Sequence, residues 1–143
     1  MSDNAAPDRR KLTQAEVDGI CQKHDRLWQA RPGGARAVFA WMDLSGLDLR
    51  GRNLADADFT AACLIGTQMS GAKLDNANFF GADMQDVDLT EASLRRADLR
   101  GACLRGADLT AADMFEADLR EGTIAASDSK LGFRVIEAQK RTD

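Results

Sequence analysis

Large apolar residues recur at every fifth position from residue 39 to residue 124, and this period constrains the fold more than any other feature of the sequence. A small residue, most often alanine, stands two positions before most of the large ones, with Met42, Leu47 and Arg52 as exceptions, and the residue between the pair is most often aspartate. The large positions are Phe39, Leu44, Leu49, Leu54, Phe59, Leu64, Met69, Leu74, Phe79, Met84, Leu89, Leu94, Leu99, Leu104, Leu109, Met114, Leu119 and Ile124. Glycine is frequent two positions after the large residue, so the repeated unit is A-D-L-x-G.

A period of five fits neither an α-helix nor a continuous β-strand. On a helix, successive large residues would turn by about 140° and cover every face, whereas on a strand an odd step would place them on alternate sides. A turn after every five residues removes the conflict, because the small and the large residue are two apart and lie on the same side of a short extended stretch. Glycine then permits the corner. We therefore expect short extended segments joined by tight turns.

Four such segments close a square coil of twenty residues, and coils stacked about 4.8 Å apart can pair their backbones. The sequence supports this period, because three phenylalanines stand twenty residues apart and predict a column of stacked rings. The pattern therefore predicts an all-β solenoid with a filled core. The core is predicted to include Phe39, Phe59, Phe79, Leu44, Leu64 and Leu104.

The units A-D-L-R-G at 97–101, A-D-L-T-A at 107–111 and A-D-L-R-E at 117–121 resemble the pentapeptide-repeat family. The resemblance extends over residues 37–126. It implies a right-handed quadrilateral β-helix, here of about four and a half coils and roughly 21 Å long at the spacing above. It also implies that the frequent aspartates are structural. The motif says little about function, because the residues that define it build the rod.

The segment before the repeat predicts an α-helical cap. Residues 1–12 are polar and are expected to be disordered. Residues 13–34 should form the cap, because a capping-box pattern at Thr13 and Glu16 starts a helix and Pro32-Gly33-Gly34 ends it. Such a cap would cover the open backbone edge of the first coil. The residues expected on its buried face are Val17, Ile20, Cys21, His24, Leu27 and Trp28.

After residue 126 the period stops. Residues 127–143 contain a turn-like polar stretch followed by the apolar run 131–136, which predicts extended chain. Three roles stay open for this segment: a cap on the last coil, a contact in a homodimer, or a loose tail. The family resemblance implies a homodimer through the C-terminal coil as one of these possibilities.

Composition and charge limit the classes of partner. The net charge is −4, and residues 42–126 carry fifteen acidic side chains against eight basic ones, which disfavours direct binding of nucleic acid. The N-terminus has neither a secretory signal nor an apolar spanning segment, so we expect no membrane contact and a cytoplasmic location. Three cysteines without CxxC spacing are typical of free thiols in a reducing compartment.

No catalytic, metal or cofactor site is predicted. Cys21 and His24 are one helical turn apart, but two ligands do not make a metal site, and packing is the favoured interpretation. Cys63 and Cys103 should lie two coils apart on one side, too far for a disulfide. A core filled with apolar side chains leaves no pocket for a substrate. We therefore do not expect an enzyme.

The surface carries the remaining functional information. Three large apolar residues stand at the outward position after the core residue, where polar residues are more common, and arginines share their sides. Arginine beside aromatic residues is typical of protein interfaces. We therefore predict a non-catalytic rod that binds another protein. The candidate interaction surface comprises Ile65, Phe80, Phe115, Arg95, Arg100 and Arg120.

A DNA mimic is the alternative function. The resemblance includes proteins of the quinolone-resistance type, which bind DNA gyrase with an acidic rod shaped like the duplex. Each side of this chain mixes charges of both signs, however, and a single rod would span only about six base pairs at 3.4 Å per step. Both features weaken this alternative.

Overall fold

The computed structural model describes residues 9–120, and from residue 37 onward the chain winds into a coil of twenty residues per turn. Parallel backbone bridges join each rung residue to the one twenty positions later, as in Val38 with Asp58 and Asp58 with Asn78. One rung falls in every five residues, so the coil has four sides. Side 1 contains residues 37–41 and their equivalents at steps of twenty, side 2 contains 42–46, side 3 contains 47–51 and side 4 contains 52–56, each with its equivalents.

A hydrogen-bonded turn closes each side. The N–H of Met42 donates to the carbonyl of Phe39 at 3.0 Å, and the same bond recurs every five residues. The residue before the donor has a positive φ, +62° at Trp41 and +73° at Gly46, which is the geometry of a turn whose third residue is left-handed. Residues other than glycine occupy nine of the described corners. The stacked backbone ladder, and not glycine alone, therefore holds the corners.

The core is a stack of apolar side chains with the period that the sequence predicts. The rings of Phe39, Phe59 and Phe79 form a column, with centroids 5.1 and 4.8 Å apart and interplanar angles of 20° and 6°. The three predicted leucines of side 2 are buried as well. The predicted core and the phenylalanine column are confirmed.

Helix α1 extends over Gln14–Trp28. The predicted capping box is present: the N–H of Glu16 donates to Thr13 Oγ1 at 3.1 Å, and the N–H of Thr13 donates to Glu16 Oε1 at 2.8 Å. Within residues 9–120, no helix is long and apolar enough to cross a lipid bilayer. The buried face of α1 consists of Val17, Cys21 and His24, with Ile20 partly buried.

The last turn of α1 differs from the prediction. Leu27 and Trp28, expected on the buried face, are 47% and 48% exposed. The helix ends at Trp28, before the proline-glycine turn that was expected to end it, and Ala30 turns the chain with a φ of +57°. The returning chain at Gly34 then packs against the backbone of Leu27, so the two side chains face solvent instead of the coil.

Residues 9–12 are ordered, contrary to the disorder expected for the whole of 1–12. Strand β1, Arg10–Lys11, pairs in parallel with strand β2, Met42–Asp43, and Leu12 is buried beside them. The edge of the first coil supplies the backbone partners for β1. A two-residue strand of this kind depends on its partner and has no pattern of its own in the sequence.

Two parts of the chain lie outside the described residues, namely 1–8 and 121–143. The second part includes the end of the predicted repeat and the segment 127–143 with its three alternative roles.

Gly34→Ala should weaken the packing of α1 on the rod. A Cβ at position 34 would lie 2.6 Å from Leu27 Cα and 2.9 Å from the backbone carbon of Arg26, so the chain would have to shift. We expect urea denaturation to show a loss of about 1–3 kcal/mol in the free energy of unfolding. The matched control is Gly19→Ala, where the added Cβ has open space and alanine favours the helix by about 1 kcal/mol. Unchanged stability of Gly34→Ala would contradict this packing.

Candidate interaction surface

Aspartate and asparagine residues at the outward rung position organise the surface of the coil. Their side-chain oxygens accept a hydrogen bond from the backbone N–H two residues later, at 3.1 Å for Asp98, Asp108 and Asp118. These contacts fix the backbone of each side, which supports a structural role for the carboxylates. The same contact is made by Asp43, Asp48, Asn53, Asp58, Asn78, Asp83, Asp88 and Asp113.

Phe80 lies exposed on side 1, as predicted. It is 48% exposed, and the guanidinium carbon of Arg100, one coil further along, lies 5.3 Å from the centre of its ring. Arg100 donates to both carboxylate oxygens of Asp98 at 2.9 Å, and this bonding lowers the pKa of Asp98. The ion pair therefore holds the guanidinium beside the ring.

Phe115 has a similar environment on side 4. It is 47% exposed, and the guanidinium carbons of Arg95 and Arg96 lie 4.6 and 5.5 Å from its ring centre. Arg95 pairs with Asp113 at 3.0 Å, and its hydrogen bond lowers the pKa of that carboxyl. Arg96 pairs with Glu116 at 3.1 Å. Two arginines thus flank one exposed aromatic ring.

Sides 4 and 1 meet at the corner that carries Arg96, so these residues occupy adjoining sides of two consecutive coils. Ile65 is 38% exposed on side 2 and is not part of this group. Arg120 follows Arg100 on side 1 and is paired with Asp118 at 2.8 Å. The sequence analysis did not predict Arg96 as part of this surface. Its only distinguishing feature in the sequence is that it stands at a corner where glycine is frequent. The arginine–phenylalanine surface is defined as Phe80, Arg95, Arg96, Arg100 and Phe115.

The charges of this surface are compensated within the chain. Its three arginines pair with carboxylates on the same side of the rod. Exposed ion pairs contribute only about 0–1 kcal/mol each to stability, and an exposed cation–π contact about 0.5–1 kcal/mol. Their main effect is geometric, because long side chains that are already restrained lose less entropy when a partner binds.

His24 is a buried structural residue. Its Nε2 lies 2.9 Å from the carbonyl oxygen of Ala55, and the backbone N–H of Ala37 donates to its Nδ1 at 2.9 Å. Because Nδ1 accepts a hydrogen bond, it carries the lone pair, and the proton is on Nε2. Both ring nitrogens are used within the protein, which supports packing over metal ligation.

The three thiols are free and are not arranged as a reactive site. Burial raises the pKa of Cys21 to about 11 and also raises the pKa of Cys63. Cys63 and Cys103 lie two rungs apart on side 2, with Asp83 between them. Within residues 9–120, no three histidine, cysteine or acidic side chains are placed to hold a metal ion.

A polar cleft of about 600 Å³ lies between α1 and the first coil. Its charged groups pair with each other: Arg50 with Asp48 at 2.9 Å, and Arg52 with Asp18 at 2.9 Å. The hydrogen bond from Arg50 lowers the pKa of Asp48 to about 2. The cleft therefore offers paired charges and no obvious acid or base for catalysis.

The chain matches a family model described as pentapeptide repeats, in eight copies. The matched residues are 35–71, 53–90, 72–110 and 92–123. Among solved structures, alr5209, a pentapeptide repeat protein from Nostoc PCC 7120, is 23% identical with a TM-score of 0.59 over 76% of this chain and 79% of that chain. This likeness shows a shared fold.

Two further solved structures are less similar in shape. AT2G44920, a pentapeptide repeat protein from the thylakoid lumen of Arabidopsis thaliana, is 35% identical with a TM-score of 0.40, over 60% of this chain and 63% of that chain. QnrB1, a plasmid-mediated fluoroquinolone resistance protein, is 18% identical with a TM-score of 0.41, over 66% of this chain and 63% of that chain. No curated protein matches the chain.

Proposed function

This chain belongs to the pentapeptide-repeat family, whose fold is a right-handed quadrilateral β-helix, and from that premise we propose that it is a non-catalytic module that binds another protein. The binding site is the arginine–phenylalanine surface. The observation that carries the proposal is that Phe80 and Phe115 are each about half exposed beside arginines, on adjoining sides of a rigid rod. Aromatic residues and arginine dominate the energetics of protein interfaces.

We propose that the rod is not catalytic because its polar side chains are already engaged in structural contacts. The apolar core is closely stacked, the outward aspartates bind their own backbone, and His24 is committed to two hydrogen bonds. A catalytic site needs convergent polar groups around a pocket. In residues 9–120, the polar cleft holds only paired charges.

The DNA-mimic alternative stays a prediction. Mimicry requires a continuous acidic face, whereas side 4 carries the ion pairs Lys73–Asp75, Arg95–Asp113 and Arg96–Glu116. A gyrase supercoiling assay, with and without the protein and a quinolone, tests this alternative directly. Inhibition of supercoiling or protection from the quinolone would favour mimicry over the function proposed here.

Phe80→Ser and Phe115→Ser should each weaken partner binding without unfolding the rod. Both residues lie at the surface and lose only their cation–π contacts, one at Phe80 and two at Phe115, so we expect the free energy of unfolding to fall by no more than about 1–2 kcal/mol. Loss of a central interface aromatic costs about 2 kcal/mol or more of binding energy, or about a 30-fold loss of affinity. Affinity capture from the native cell extract identifies the partner, and titration calorimetry with that partner measures the loss.

Ile65→Ser is the matched control, because Ile65 is also exposed but lies on side 2. It should bind the captured partner like the wild type. If Ile65→Ser weakened binding as much as the two phenylalanine variants, or if neither phenylalanine mattered, the working surface would lie elsewhere on the rod.

A further inference from the structure

Two sides of the first coil have partners for their N-terminal backbone edge. Strand β1 pairs with β2 on side 2. On side 3, the side-chain amide of Gln14 donates to the carbonyl of Asp48 and accepts from its N–H, both at 2.8 Å, so one side chain takes the place of a strand. The rung residue of each side thus presents one N–H and one carbonyl that a neighbouring group can bind.

Side 1 has no such partner among residues 9–120. Its rung pairs with the next coil through the N–H of Phe39, which donates to the carbonyl of Asp58, and through the carbonyl of Ala37, which accepts from the N–H of Asp58. The N–H and the carbonyl of Val38 itself consequently point away from the coil, toward its N-terminal end. An open edge of this kind can accept an extended chain as an additional strand.

Three large apolar side chains are exposed around this edge. Val38 is 47% exposed, Trp28 48% and Trp41 53%. The ring of Trp28 lies 6.5 Å from that of His24, which binds the N–H of Ala37 at the start of side 1. Trp41 occupies the corner at the other end of side 1, where the described later coils have alanine or glycine. The turn therefore does not require tryptophan, whereas exposed tryptophan is typical of a contact surface.

Two arginines stand at the two corners of side 1, and hydrogen bonds to the rod position both of them. Arg36 Nε donates to the carbonyl of Asp56 at 2.6 Å, where side 1 begins, and Arg9 Nε donates to the carbonyl of Ala61 at 2.7 Å, where side 1 ends. In the part of the chain that the structure describes, neither arginine is paired with a carboxylate. The carboxylate of Asp58, on the rung between them, is bound within its own side. The terminal nitrogens of both guanidinium groups are therefore available to a carboxylate from outside.

We propose that this edge is a second binding site, independent of the arginine–phenylalanine surface, which takes an extended acidic segment of another protein as an added strand. Val38 supplies the backbone pairing, and Trp28 and Trp41 supply apolar contacts at the two ends of the side. In a segment paired with Val38, the outward side chains two residues before and two residues after the paired residue would lie toward Arg36 and Arg9. The order that fits is acidic-x-apolar-x-acidic, because carboxylates at both positions complement the two arginines.

The open edge favours a polypeptide over a lipid surface. Tryptophan and arginine also occur where proteins contact anionic membranes. A lipid surface, however, offers no N–H and carbonyl in strand geometry to the backbone of Val38. The partner is therefore an extended chain whose charge is opposite to that of Arg9 and Arg36.

The test is an NMR titration of the full chain with the synthetic peptide acetyl-Glu-Thr-Val-Thr-Glu-amide, with the same peptide carrying lysine for both glutamates as its control. Near saturation, the glutamate peptide should slow the exchange of the Val38 amide with solvent by about tenfold. The double variant Arg9→Ser/Arg36→Ser should bind it at least about tenfold more weakly, since each arginine loses a charge-assisted hydrogen bond.

Arg105→Ser is the matched control variant, because Arg105 is an exposed arginine on side 2. It should bind the glutamate peptide like the wild type. The amide of Asn78, which donates to the carbonyl of Ala57 at 3.0 Å, should exchange at the same rate in every variant and so show that the rod stays folded.

Any one of four results would overturn the proposal. Equal binding of the two peptides, or no binding of the glutamate peptide, would mean that the arginines do not select an acidic segment. Binding without protection of the Val38 amide would mean that no strand is added at this edge. A Val38 amide that is already protected before peptide is added would show that the edge is occupied within the protein or by a second copy. Binding of phosphatidylserine vesicles in place of the peptide would assign the surface to a membrane.

Discussion

Phe59→Ala should lower the free energy of unfolding by about 3–5 kcal/mol. Phe59 is the middle ring of the column, stacked on Phe39 at 5.1 Å and on Phe79 at 4.8 Å, and it is fully buried. Truncation removes both ring contacts and leaves a cavity. The cavity cannot collapse easily, because the N–H of Phe59 and the rung at Asp58 fix the spacing of the coils on either side.

Phe59→Leu is the control for this prediction. The same column contains Leu99 further along, where leucine is 1% exposed, so the side can accept a leucine. We expect a loss of only about 1–2 kcal/mol, since most of the buried apolar volume is kept. Urea denaturation followed by circular dichroism measures both variants. If Phe59→Ala lost no more stability than Phe59→Leu, the stacked rings would not contribute to the stability of the neighbouring coils.

The periodic part of the fold could be predicted because its cause is local and repeated. The burial of Phe59 and Leu64 in the core follows from their spacing and from the small residue two positions earlier. Each further unit has the same pattern and therefore the same prediction. The positions of the corners could be predicted from glycines such as Gly46, whose φ is +73°. The corner at Trp41 shows the limit of that argument, since only its place in the repeat marks it as left-handed.

The non-periodic part could be predicted only where a local motif exists. The capping box at Thr13 set the start of α1. The helix ends where Ala30 takes a φ of +57° and the N–H groups of Ala30 and Arg31 donate to the carbonyls of Leu27 and Arg26, a turn for which alanine gives no signal in the sequence. Strand β1 and the amide of Gln14 depend on the edge of the first coil. These features are tertiary in origin, so the sequence alone did not indicate them.

The candidate surface was predictable for the same reason as the core. The twenty-residue period places Phe80 beside Arg100, and the structure confirms their contact. Ile65 was grouped with them because it occupies the equivalent position of its unit, although it lies on another side. Arg96 was missed because a corner residue was expected to serve the turn, whereas its long side chain reaches Phe115.

His24→Ala should destabilise the N-terminal end by about 2–5 kcal/mol in the free energy of unfolding. The imidazole accepts from the N–H of Ala37 and donates to the carbonyl of Ala55, and both alanines are buried. Truncation leaves both backbone groups without their partner, and each such group costs about 1–3 kcal/mol. Hydrogen exchange should show faster exchange of the Ala37 amide, and urea denaturation should show the loss of stability.

His24→Gln separates the hydrogen bonds from the ring. A glutamine amide can donate and accept at once, as Gln14 does with the backbone of Asp48, so this variant should recover part of the stability lost in His24→Ala. A recovery of about 1 kcal/mol or more would indicate that bridging two buried backbone groups is the main role of His24. Equal loss in both variants would instead assign that role to the packing of the ring, and wild-type stability of His24→Ala would contradict the bridge altogether.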